Sequence, residues 1–127
     1  MKKYLILLML VVVLPLSAQV HYFQATKFTA SDGYSTSSQD SNVKIIIDLD
    51  RNHCEIYSAE TQVIDYVPER RYTDSDNYEV LECYGTDRYY RNIRFILYTH
   101  PVKNIVFIQV TYSDISYIYT CYVRAPF

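Results

Sequence analysis

From Val43 onward, hydrophobic and polar residues alternate with a period of two, the spacing of a strand with one buried face. Val43, Ile45, Ile47 and Leu49 share one side of 43–50, while Lys44, Ile46, Asp48 and Asp50 share the other. Arg51-Asn52 interrupts the pattern. Alternation resumes over 53–58, with Cys54 and Ile56 on the apolar side, so the two runs predict a β-hairpin. Further strands are expected over 20–29, 62–67, 77–84, 89–98, 104–112 and 115–123. Pro68 ends the run over 62–67 because it has no N–H for a ladder, and 71–77 reads as a polar turn. Gly85-Thr86-Asp87, Thr99-His100-Pro101 and Ser113-Asp114 separate the later strands. Residues 30–42, rich in Ser, Thr, Gln and Asn, show no period and read as a long loop, either functional or mobile.

About eight short strands with polar turns predict an all-β chain folded as a single antiparallel meander. Such a meander closes into a small barrel, lipocalin- or fatty-acid-binding-like in architecture, or folds as a sandwich. The barrel is preferred because closure removes exposed strand edges. The Gly-x-Trp start of a lipocalin is absent, together with tryptophan itself.

The start of the chain breaks the pattern. Met1-Lys2-Lys3 is followed by an apolar run over 4–14 and then by Pro15-Leu16-Ser17-Ala18-Gln19. This is the layout of a secretory signal peptide, with an apolar part too short to span a bilayer. The expected division is a signal over 1–18 and one domain over 19–127. The expected location is outside the cytoplasm: exported, and either periplasmic or secreted if the source is a Gram-negative bacterium. No Cys stands at the cleavage point, so a lipid anchor is not expected.

Without Lys2 and Lys3, ten positive residues face fourteen negative ones. That balance argues against nucleic acid as a partner and against docking on anionic lipid, and no stable membrane anchor is expected. Only two glycines occur, Gly33 and Gly85, so no phosphate-cradling loop, dinucleotide fingerprint or nucleophile elbow can be written. Cys54, Cys83 and Cys121 lie in apolar runs and form no CxxC pair; either all three are buried thiols or two share a disulfide.

No catalytic, cofactor-binding or metal-ligating set emerges. Asp48, Asp50 and Asn52 alternate like the opening of a calcium loop, but His53 and Ala59 stand where that loop needs Gly and Glu. Hairpin turn chemistry accounts for Asp50 and Asn52. The acidic stretch 73–77 reads as a solvated turn. His21, His53 and His100 are too scattered to suggest a metal triad, and Glu55, Glu79 and Glu82 fit a charged sheet face better than a carboxylate pair. The chain is therefore expected to be no enzyme and to need no cofactor.

The tyrosines are the anomaly: fifteen occur, fourteen of them after the signal, many at strand positions. A tyrosine has an apolar body and a polar tip, so it suits both a wet sheet face and a binding surface. The candidate binding cluster is Tyr89, Tyr90, Tyr98, Tyr112, Tyr117 and Tyr119, on consecutive strands.

The stretch 42–51, its continuation through Ile56-Tyr57-Ser58 and 60–66, and Tyr112-Ser113-Asp114 resemble a group of small secreted β proteins from gut-type Gram-negative bacteria. The resemblance implies export and an all-β domain, and brings no catalytic or binding residue with it. The leading expectation is an exported, non-enzymatic binding domain whose partner is a protein, a glycan or a small apolar ligand. The tyrosines would meet it on a sheet face or at a barrel mouth. The alternative is an inhibitor or stability factor of an envelope enzyme, acting through 30–42; an exported hydrolase comes third.

Overall fold

The computed structural model describes residues 20–124. The signal segment therefore lies outside the described residues. Eight antiparallel strands run in chain order: β1 Val20–Ser31, β2 Thr36–Asp48, β3 His53–Tyr57, β4 Gln62–Thr73, β5 Glu79–Thr86, β6 Asn92–Thr99, β7 Val106–Thr111 and β8 Ser116–Arg124. Each pairs with the next, and β8 returns to pair with β1, so the meander closes into a barrel. The barrel, rather than the sandwich, is the architecture of this chain.

Side-chain alternation decides which face turns inward. Ile45, Ile47, Cys54, Ile56, Ile64 and Ile108 are fully buried, and their neighbours along each strand face out. In register, Ile45 pairs with Ile56, Ile47 with Cys54, and Cys54 with Ile64. Phe95 lies between Cys83 and Val110, and Tyr66 stacks on its ring at 4.7 Å. Eight strands leave a bore just wide enough for side chains to fill. Each fully buried Ile stabilises the closed form by roughly 1.5–3 kcal/mol. Gly85 is required by this packing: it pairs with Tyr66, and a Cβ there would stand 2.6 Å from the Asp65 carbonyl oxygen.

Two expectations need correction. Residues 30–42 are no loop: β1 continues to Ser31, β2 begins at Thr36, and the pair Ser31–Thr36 closes a tight hairpin. The segment lacks a hydrophobic period because its β2 half from Thr36 to Asp40 is exposed on both faces, and alternation registers only where one face is buried. Pro68 likewise does not end β4, which runs on to Thr73. Pairing of β3 with β4 stops at Asp65, so from Tyr66 onward β4 has a ladder only with β5, and a bulge falls between Pro68 and Arg70. A residue without an N–H is tolerated on such a one-sided strand and at such a bulge.

All three cysteines are free and buried. Burial pushes the Cys83 and Cys121 thiols up to about 12 and the Cys54 thiol higher still, so they behave as small apolar residues. The turns follow their acids. Asp48 Oδ1 accepts from the N–H groups of Asp50 and Arg51, and Asn52 adopts φ 52°. Asp74 Oδ1 accepts from the N–H groups of Asp76 and Tyr78. Both acidic stretches are thus spent on turn geometry.

Candidate binding site at the barrel mouth

The hairpins β1–β2, β3–β4, β5–β6 and β7–β8 all turn at the same end of the barrel. Between them lies a cavity of about 1040 Å³, at the upper end of the size range of small-molecule sites. Its floor is aromatic. Phe28, from β1, packs on Tyr117 at 5.5 Å and on Tyr119 at 5.2 Å, and Tyr112 meets Tyr117 edge-on at 6.1 Å. These contacts follow from closure, because Phe28 pairs with Tyr119 across the β1–β8 seam. Tyr119 is only 2% exposed, and its hydroxyl accepts a 2.8 Å hydrogen bond from Gln62 Nε2. Burial, partly offset by that bond, pushes its hydroxyl up to about 12.

The rim is organised by Asp87, at the head of the β5–β6 turn and 6% exposed. Asp87 Oδ1 accepts from the N–H groups of Tyr89 and Arg91, both at 2.9 Å. Its Oδ2 accepts from Arg91 Nε at 2.7 Å and from the Tyr112 hydroxyl at 3.0 Å. Burial alone would raise the Asp87 carboxyl, but the Arg91 N–H groups and the Tyr112 hydroxyl outweigh it and hold the carboxyl below its usual value. The same bond and burial push the Tyr112 hydroxyl up to about 12, burial being the larger cause. One carboxylate therefore ties the β5–β6 turn to the floor.

Tyr89 is clamped from several sides. Its hydroxyl donates to Glu60 Oε1 at 2.6 Å, and the Arg88 and Arg91 guanidinium carbons each stand 5.5 Å from its ring. Arg88 Nη1 also donates to the Thr61 carbonyl at 3.0 Å, bridging the β3–β4 and β5–β6 turns. Tyr90 differs from all of these. Its ring is 87% exposed, and its backbone is held at φ 63° by the N–H bond from Tyr90 to the Asp87 carbonyl. A left-handed tyrosine is disfavoured by about 1–2 kcal/mol, and strain of this sort clusters where function demands a side chain.

Of the six candidate tyrosines, the structure brings Tyr89, Tyr90, Tyr112, Tyr117 and Tyr119 to this cavity. Tyr98 stands elsewhere: it pairs with Val80 and Phe107, and its hydroxyl lies 3.3 Å from Gln109 Oε1 on the outer face. Phe28, Gln62, Asp87 and Arg91 were not foreseen. Asp87 with Arg91 four residues on was the one local signal, an acid heading a turn.

Three of the remaining tyrosines are engaged singly on the outer wall. Tyr57 bonds Glu55, Tyr72 bonds Glu82, and Tyr84 lies under Arg94. A smaller cavity of about 340 Å³ on the outside holds His53, whose Nδ1 lies 2.7 Å from Asp65 Oδ1 and whose Nε2 lies 3.0 Å from Glu55 Oε2. Partial burial opposes the charge on His53, but the two carboxylates prevail and raise its pKa. No group of three or more His, Cys, Asp or Glu among the described residues is arranged to hold a metal ion.

No family model, no curated protein and no solved structure matches the chain.

Proposed function

We propose that this chain is a non-enzymatic binding domain, exported to the periplasm or beyond, with its site at the tyrosine-lined mouth. The observation that carries the reading is convergence. Three turns and strands β1, β2 and β8 place five tyrosines, two arginines and a buried aspartate around one open cavity. Concave sites with aromatic walls and a few fixed polar groups are the usual form of ligand sites. Gln62 with Tyr119, Glu60 with Tyr89, and Asp87 with Arg91 and Tyr112 are tied in positioning bonds, and none of these pairs is the nucleophile–base pair that catalysis would require. Location in water rather than lipid fits the walls: Lys44, Asp65 and Arg94 face outward while the bore is apolar, the reverse of a membrane barrel.

The test is a substitution pair read by calorimetric titration against a panel of small ligands. Tyr90→Ala should weaken binding by about tenfold without lowering the melting temperature, and Tyr84→Ala on the outer wall should change neither. Binding that is unchanged by Tyr90→Ala but weakened by Tyr84→Ala would move the site to the outer face.

A second reading has its own observation. From Thr36 to Val43, β2 pairs with β1 alone, because β3 stops at the Lys44–Tyr57 pair. That leaves an open strand edge beside the mouth, and open edges accept an extended segment of another protein. An inhibitor or stability factor of an envelope enzyme would act through this arm. Trimming the hairpin between Lys27 and Asp40 to a two-residue turn should then abolish capture of the enzyme; capture that persists would sink this reading.

A further inference from the structure

Which ligand the mouth takes can be argued from what its walls offer. This step rests on the reading of the mouth as the binding site. We propose that the mouth binds a neutral oligosaccharide, its ring faces on Tyr89 and Tyr90 and its hydroxyls among the polar groups of the turns.

The floor comes first. Phe28, Tyr117 and Tyr119 close the cavity, and below them Ile45, Ile56 and Ile108 are fully buried. A long aliphatic tail has no bore to enter, so a lipid would leave most of its chain in water. The ligand has to lie across the mouth.

Charge comes next. Glu60, Asp87 and Asp114 line the mouth against Arg88 and Arg91. The balance is one net negative charge, which does not draw an anion in. Asp87 is moreover spent on Arg91, and Glu60 on Tyr89.

Hydrogen-bond sense then separates the neutral classes. Arg88 and Arg91 present guanidinium donors, Asp114 presents acceptors, and Gln39 and Asn92 present both. A sugar hydroxyl both donates and accepts, so a polyhydroxyl chain can satisfy this mixed set; a hydrocarbon satisfies none of it. The rings complete the match. Tyr89 is 55% exposed and Tyr90 87% exposed, and they follow one another on one turn. Tyr90 offers an apolar face to the C–H side of a pyranose and a polar tip to its hydroxyls, while Tyr89, its own hydroxyl held by Glu60, adds only the exposed part of its ring. The strain held at Tyr90 is explained by the need to present that ring.

The experiment is calorimetric titration with cellohexaose, xylohexaose, mannohexaose and chitohexaose, with hexagalacturonate and decanoate as anionic arms. At least one neutral hexasaccharide should bind more tightly than both anions, and Tyr90→Ala should weaken it by about tenfold, the loss expected for one well-placed aromatic. Tyr84→Ala should leave it unchanged. If hexagalacturonate or decanoate binds more tightly and Tyr90→Ala still weakens it, the saccharide is wrong and the mouth stands. If a neutral sugar binds but Tyr90→Ala does not weaken it, both the saccharide assignment and the mouth fall. If no neutral sugar binds, the proposal is overturned, and a protein partner at the open β2 edge is the next occupant to test.

Discussion

Two buried tyrosines show how differently the middle of the barrel and its mouth are built. Tyr66 lies in the bore, stacked on Phe95, with a hydroxyl that has no hydrogen-bond partner among the described residues. Tyr119 lies at the floor of the mouth, with its hydroxyl held by Gln62. Both are nearly fully buried. The first is there for its ring, and its hydroxyl is a cost. The second uses both ends. The bore is a hydrophobic solid with an orphaned hydroxyl at Tyr66; the mouth is an aromatic frame in which the Tyr89, Tyr112 and Tyr119 hydroxyls are each hydrogen-bonded.

The sharpest way to break the comparison is to hollow the bore. Phe95→Ala should cost roughly 3–5 kcal/mol, since the barrel wall cannot collapse onto the space. Chemical denaturation should read this as a large fall in midpoint. Gly85→Ala follows at roughly 1–3 kcal/mol, because its Cβ meets the Asp65 carbonyl and the Tyr66 backbone rather than a movable side chain. The paired tyrosines should then diverge in sign. Tyr66→Phe removes an unsatisfied hydroxyl and should stabilise by about 1 kcal/mol, whereas Tyr119→Phe strands the Gln62 amide and should cost about 1 kcal/mol. Equal effects in both would erase the distinction. At the rim, Tyr90→Gly should raise stability by roughly 0.5 kcal/mol, by relieving the left-handed tyrosine at the expense of a looser unfolded chain, while weakening binding.

The smallest effect is on the outer wall, where pH should act through His53. Its folded pKa lies above the ordinary value of 6.5. Protonation thus favours the folded state: the contribution is complete below pH 6.5 and fades as pH rises through the raised value. His53→Gln should flatten this part of the stability profile, and an unchanged profile would show that the flanking Glu55 and Asp65 do not hold the charge.

The bore is legible in the sequence, and the mouth only in part. Period-two alternation identifies Ile45, Ile47, Ile56, Phe95 and Ile108 as one face because each sits on a strand with one side in water. The arm over 30–42 escaped because neither face of its β2 half is buried, and β4 was cut short because a strand with one open side accepts Pro68. Tyr117 and Tyr119 share a face with Cys121 in any strand reading. Their meeting with Phe28, and of Tyr112 with Asp87, depends on the closing of β8 onto β1 and on how neighbouring turns fall at one end. No local pattern encodes that, which is also why Tyr98 was grouped with the mouth: it has the right composition on the wrong face.

The central claim is that ligand meets the mouth and leaves the bore untouched. Amide chemical shifts of the isotope-labelled protein, titrated with whichever neutral hexasaccharide binds most tightly, test it directly. Shifts should be confined to 28, 39–43, 58–62, 87–92 and 112–119, with the amides of Ile47, Cys54 and Phe95 unmoved. Shifts centred on the outer wall around Tyr57, Tyr84 and Tyr122, or spread through the bore, would contradict it.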